Sequence, residues 1–237
     1  MLVGVTLTGA DDDTDIDDLL DLSKDFPFVE WGILLSMSRV GTPRYPTSRW
    51  GHEAVDRFEA HGIANLSGHL CDKWARDLLA GATGCLDELH TDELHTPAFR
   101  RIQINGFDPK DPVHVENVIR LVADYDAQVI LQTRSKDDLP RSLVLAAEFK
   151  HLHVLYDPSG GRGAVQDAGS WPESFLGVYM GFAGGIGPDN VGDVLDDIGD
   201  RPEPFWIDME SALRTDDRFD IDKCRKVLEI CEPRVRV

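Results

Sequence analysis

Phe182-Ala183-Gly184-Gly185-Ile186-Gly187-Pro188-Asp189-Asn190 ends an apolar run that starts at Leu176 and opens onto a helical pattern. Leu176 to Phe182 has the length and composition of a buried strand. Glycines let backbone N–H groups approach an anion closely. Pro188 suits the first helical turn, where its missing N–H costs nothing, and the positive end of the following helix dipole favours negative charge. Barrels often hold a phosphate in the loops after strands 7 and 8. The same residues also suffice for a plain glycine turn between a strand and a helix.

Working outward, Phe205 to Met209 is a second short apolar run, followed by Glu210 and Ser211. The Ser211 hydroxyl and nearby amides can donate to an anion, whereas the Glu210 carboxylate must face away from it or pair with an arginine. Toward the N-terminus the same kind of run recurs at Leu2–Leu7, Phe28–Leu35, Ile63–Leu66, Arg101–Asn105, Gln128–Gln132 and Leu152–Tyr156. Helical patterns separate the runs. They start near Thr14, at Ser48, which is placed to cap its helix, at Cys71, Val113 and Leu139, near Asp189 and near Asp220. The stretch Gly81–Thr96 reads as an extra turn or helix. Alternating strand and helix patterns indicate parallel βαβ units. Eight strands in 237 residues predict one (β/α)8 barrel spanning residues 1–237, since an open doubly wound sheet usually stops at five or six.

Composition narrows the function classes. Acidic residues number 43 against 24 basic ones, a net charge of −19, which disfavours nucleic acid as a partner. Asp supplies 31 of the acidic residues and Lys only 7 of the basic ones. That balance fits a salt-loving source and equally a merely acidic protein from a GC-rich genome. No apolar run is long enough to span a bilayer, and Met1-Leu2-Val3-Gly4-Val5 lacks the basic flank of a signal peptide. The expectation is a cytoplasmic protein without a membrane partner. Cys71, Cys85, Cys224 and Cys231 form no C-x-x-C pair and read as reduced thiols. His69 and Cys71 are two residues apart, and His90 and His95 lack an evident partner, so neither a metal nor another cofactor is expected.

Three segments together resemble the phosphoribosylanthranilate isomerase family. Gly32-Ile33-Leu34-Leu35 with Gly41-Thr42-Pro43-Arg44-Tyr45 is similar to the family's strand 2 and S-P-R-Y loop. Leu155-Tyr156-Asp157 with Gly160-Gly161-Arg162-Gly163 is similar to its strand 6 and G-G-x-G segment. Ala183-Gly184-Gly185 with Pro188-Asp189-Asn190-Val191 is similar to its strand 7 segment, A-G-G-L-x-P-E-N-V. The resemblance implies a TIM barrel of the ribulose-phosphate-binding type and an Amadori rearrangement of an aminoribose phosphate. In that reaction an acid protonates the ring oxygen and a base removes the C2 proton.

By resemblance Asp157 is the acid and Arg44 holds the anthranilate carboxylate. Thr6 stands where the family carries its basic Cys, and a hydroxyl is a poor base. His69 and Cys71, expected just beyond strand 3, are substitute candidates. Gln103 and Asn105 from strand 4, with Gln132 and Arg134 from strand 5, are candidates for binding the rest of the substrate. Gly161, Gly184, Gly185 and Ser211 are candidates for its phosphate. The resulting reading is an aldose–ketose isomerase acting on a phosphorylated small molecule, as a monomer or homodimer. A related sugar-phosphate lyase or epimerase, or a phosphate-ligand binder without catalysis, are the alternatives. The run Asp11-Asp12-Asp13 offers further carboxylates or is a solvated loop.

Overall fold

A computed structural model describes residues 1–87, 99–124, 128–160, 169–173, 175 and 177–236. Eight parallel strands close into a barrel in sequence order: β1 (Leu2–Thr8), β2 (Val29–Leu35), β3 (Leu66–Leu70), β4 (Arg101–Ile104), β5 (Gln128–Thr133), β6 (Leu152–Tyr156), β7 (Met180–Ala183) and β8 (Phe205–Met209). The ring closes where β8 pairs with β1, Thr6 lying opposite Asp208 and Leu7 opposite Met209. The (β/α)8 barrel read from the sequence is the fold observed.

Around it lie α1 (Ile16–Asp25), α2 (Ser48–Ala60), α3 (Asp72–Leu79), the single turn α4 (Gly84–Asp87), α5 (Pro112–Asp124), α6 (Leu139–Glu148), α7 (Val191–Ile198) and α8 (Ile221–Cys231). The extra turn expected in Gly81–Thr96 is present as α4, while residues 88–98 fall outside the described residues, as do Tyr125 and Leu176. None of the described helices is long and apolar enough to cross a membrane.

Local chemistry sets the helix starts. Asp15 caps α1 by accepting the N–H of Asp17 at 2.9 Å, whereas Thr14 accepts from the Asp11 N–H. Thr47, and not Ser48, caps α2, its hydroxyl accepting from Trp50 N–H at 3.3 Å.

Strand 3 differs most from the expectation of Ile63–Leu66. It begins at Leu66 and continues through Ser67, Gly68 and His69 to Leu70, pairing Leu34 with His69 and His69 with Gln103. A polar inward face hides a strand from an apolar criterion, because the barrel interior satisfies polar groups against one another. Thr6 donates to Glu30 at 2.9 Å, and Arg101 reaches Glu30 at 3.3 Å. The Arg101 guanidinium also lies over the Trp206 ring, 4.1 Å from its centre.

Between these inward positions Val5, Leu7, Trp31, Ile33, Leu131, Val154, Phe182 and Ile207 are buried in the main apolar core. Gly181 is required for packing inside the barrel: a Cβ there would sit 2.2 Å from the Trp206 indole and 2.7 Å from Leu155. The chain ends meet at the β8–β1 closure. Phe205 N–H donates to Met1 C=O and Arg236 N–H to Leu2 C=O, both at 2.9 Å.

Candidate active site

A cavity of about 600 Å³ opens at the carboxyl ends of the strands, the face on which this architecture places catalytic groups. Arg44, His69, Cys71, Gln103, Asn105, Gln132, Arg134, Asp157, Gly184, Gly185 and Ser211 all line it. Thr6 does not. It lies one inward position below the mouth, buried, with its hydroxyl given to Glu30. Gly161 lies outside the described residues.

Asp157 follows β6 directly and is 4% exposed. Its Oδ1 accepts from Ser159 N–H at 3.1 Å, Ser159 Oγ at 2.7 Å and Gly160 N–H at 3.1 Å, while Gln132 Nε2 donates to Oδ2 at 2.7 Å. The turn Asp157-Pro158-Ser159-Gly160 therefore fixes the carboxyl group's direction. Gln132 in turn accepts from Arg134. Among the described residues Arg134 pairs with no carboxylate, unlike the other two arginines at the mouth.

Those two are engaged. Arg44 donates to Glu210 Oε1 at 2.9 Å and to Ser211 Oγ at 3.2 Å. The arginine needed to balance Glu210 is thus the one that the family resemblance gives to a substrate carboxylate. Burial pushes the Glu210 carboxyl up from its ordinary range, and Arg44 opposes that shift. Arg39 pairs with Asp72 at 3.2 Å and donates to Tyr45 Oη at 2.7 Å.

Arg44 adopts φ 77°, in the left-handed region, and Asp11 holds it there by accepting its backbone N–H at 2.6 Å. The same Asp11 oxygen pairs with the buried Arg214 at 2.8 Å, and Asp12 accepts from Thr47 N–H at 2.7 Å. Asp11 and Asp12 anchor the Gly41–Thr47 loop, Asp11 from a buried position, while Asp12 and Asp13 are exposed.

On the phosphate side, Gly184 and Gly185 have φ 115° and 67°, which frees the backbone to turn its amides as a side-chain-bearing residue rarely can. Asn190 locks this loop, accepting from Gly187 N–H at 2.8 Å and donating to Gly185 C=O at 2.9 Å. The helix begins at Val191, two residues beyond the expected Asp189.

On the β3–β4 side, burial keeps His69 neutral, its pKa pulled down to about 3, and pushes the Cys71 thiol up to about 12. Neither group is an effective base at neutral pH. Asn105 donates to Cys71 Sγ at 3.2 Å and accepts from Gln103 Nε2 at 3.0 Å.

Thr8 and Asp208 also line the cavity and were not among the residues singled out from sequence. Thr8 Oγ1 donates to Asp208 Oδ1 at 3.0 Å. Their signal was the period of two. Leu7 and Met209 face the helices, which turns Thr8 and Asp208 inward.

Residues 109–230, just over half of the chain, match the family model described as N-(5'phosphoribosyl)anthranilate (PRA) isomerase. No curated protein sequence matches the chain significantly. Among solved structures, phosphoribosyl anthranilate isomerase from Thermus thermophilus superposes with a TM-score of 0.64 at 18% identity, over 98% of this chain and 99% of that one. The Pyrococcus furiosus N-(5'-phosphoribosyl)anthranilate isomerase gives 0.58 at 13%, with the same coverages. The 3-hexulose-6-phosphate synthase of Salmonella typhimurium gives 0.54 at 15%, over 98% of this chain and 99% of that one.

Proposed function

Because this chain belongs to the N-(5'-phosphoribosyl)anthranilate isomerase family, we propose that it converts a 5-phosphorylated aldosylamine into the corresponding 1-amino-ketose by acid–base catalysis. The observation that carries this reading is Asp157, fixed by four hydrogen bonds in a cavity shared with the Gly184–Gly185 loop and Ser211.

Asp157 delivers a proton to the ring oxygen, the bond from C1 to that oxygen breaks, and nitrogen's lone pair forms the iminium. Loss of the C2 proton then gives the enol-amine that rearranges to the ketose. The phosphate rests on the amides after β7 and on Ser211, with Gly161 as a further candidate. Gln103, Asn105 and Gln132 face the sugar hydroxyls. Arg134 takes the substrate's other anionic group, since a guanidinium matches a planar carboxylate through two parallel bonds and Arg44 is already held by Glu210.

The test is incubation with phosphoribosylanthranilate, followed by loss of anthranilate fluorescence. Turnover that falls by about 100-fold or more in Asp157→Asn supports the reading. No turnover by the unaltered protein sinks it. One observation favours a second reading, a phosphate-ligand binder without turnover: β1 presents the Thr8 hydroxyl to the cavity and no group that ionises. Phosphate raising the melting temperature without any turnover is the outcome that this second reading expects.

A further inference from the structure

We propose that Asp208 is the group that removes the C2 proton, the task that β1 leaves to a hydroxyl. This rests on the isomerase reading above and adds the base that it lacks. Asp208 projects inward between the outward-facing Ile207 and Met209, is 6% exposed, and lines the cavity together with Asp157. Its Oδ1 holds the Thr8 hydroxyl, while Oδ2 has no hydrogen-bond partner and the carboxyl no ion-pair partner among the described residues.

Gly32 permits the close packing beside it. A Cβ there would lie 2.2 Å from Thr8 Oγ1 and 3.0 Å from His69 Nε2, so the hydroxyl and the imidazole converge on one point next to the carboxyl. His69 Nε2 is buried without a partner. Thr8, His69 and Asp208 all line the cavity, so three inward polar groups meet at its floor beside the reacting carbons. Burial raises Asp208 well above the ordinary carboxylate range, which lowers its ionised fraction and makes that fraction a stronger proton acceptor than an exposed aspartate.

The step balances. The C2–H electron pair becomes the C1–C2 double bond, the iminium pair returns to nitrogen, and the proton moves to Asp208 Oδ2. The proton on Asp208 exchanges with solvent in the cavity, and Asp208 then protonates C1 as the O2–H bond breaks and C2=O forms. The proton released from O2 replaces the one that Asp157 gave to the ring oxygen.

The experiment incubates the wild-type protein and Asp208→Asn in D2O with phosphoribosylanthranilate and, separately, with ribose 5-phosphate. Deuterium incorporation is read by NMR, and inorganic phosphate affinity is measured on the same preparations. The expected result is retained phosphate affinity with turnover and deuterium exchange both reduced by about 100-fold or more. Exchange within about threefold of wild type in the variant, or no exchange by the wild type into either compound, overturns the proposal. If the wild type leaves phosphoribosylanthranilate unchanged yet exchanges deuterium into ribose 5-phosphate through Asp208, the substrate reading falls and the Asp208 assignment stands. Should Asp208→Asn lose phosphate affinity through misfolding, Asp208→Glu decides. Exchange restored by its carboxyl supports the proposal, and exchange still absent in a folded, phosphate-binding Asp208→Glu overturns it.

Discussion

Replacing Asp11 by Ala removes a carboxylate that serves two elements at once. Its Oδ2 accepts the backbone N–H of Arg44 at 2.6 Å and Arg214 at 2.8 Å, and the two paired side chains are 7% and 4% exposed. Taking away one partner of a buried pair strands the other charge, at a cost of about 3–5 kcal/mol. Arg214 keeps the Gly9 carbonyl at 2.6 Å, the Asp217 carbonyl and the exposed Asp217 carboxylate at 3.4 Å, which places the loss at the lower end, about 3 kcal/mol. For a domain of this length each kcal/mol moves Tm by about 2–4 °C, so a fall of about 6–12 °C is expected. Urea denaturation alongside a thermal scan measures both quantities. The double variant Asp11→Ala/Arg214→Met removes the stranded charge and recovers at least half of the loss. A single variant within about 0.5 kcal/mol of wild type, or a double variant less stable than the single one, would refute this account of the loop's anchor.

Three further outcomes are expected. Gly181→Ala forces a methyl against the Trp206 indole and Leu155, lowering stability by about 1–3 kcal/mol, read by thermal melting and tryptophan emission. His69 titrates near 3 when folded and at its ordinary 6.5 when unfolded, so the unfolded state binds the extra proton between those values and stability falls as pH drops through that window. His69→Gln should therefore flatten the stability–pH slope below 6.5 by about 1.4 kcal/mol per pH unit, and an unchanged slope in urea titrations would contradict it. With a net charge of −19, self-repulsion is screened by salt. Tm should rise between low and molar KCl, and a flat profile would remove the salt-loving interpretation.

The ring of strands was legible because each strand shows an apolar face to the helices, as in Val5 and Leu7 or Ile207 and Met209. Polar inward residues did not hide β1, β4 or β8, but β3 keeps only Leu66 and Leu70 as apolar members, and there the reading failed. Ser67 and His69 belong to β3 but read as a loop, since their inward environment is not a property of local sequence. Thr6 and Thr8 show the same limit at the site: they are two residues apart on one face, and only the closed barrel reveals which of them reaches the mouth. Asp157 was legible from its place at the end of β6. The Arg44–Glu210 pair was not, because it joins residues 166 positions apart. The sequence required only that Glu210 find some arginine or turn away.

The meeting of the two chain ends has an engineering consequence. Arg236 and Leu2 are hydrogen-bonded neighbours at the β8–β1 seam. The half of the ring formed by β7, β8, β1 and β2, which carries Gly184, Asp208, Thr8 and Gly32, is therefore continuous in space but cut in the chain. Joining the ends with a short peptide and reopening the chain at the exposed Gly62 turn would make that half a single uninterrupted segment without breaking a strand pair. Such a circular permutant could be synthesised or labelled as one piece, and split-protein complementation could then ask whether this segment reassembles with β3 to β6.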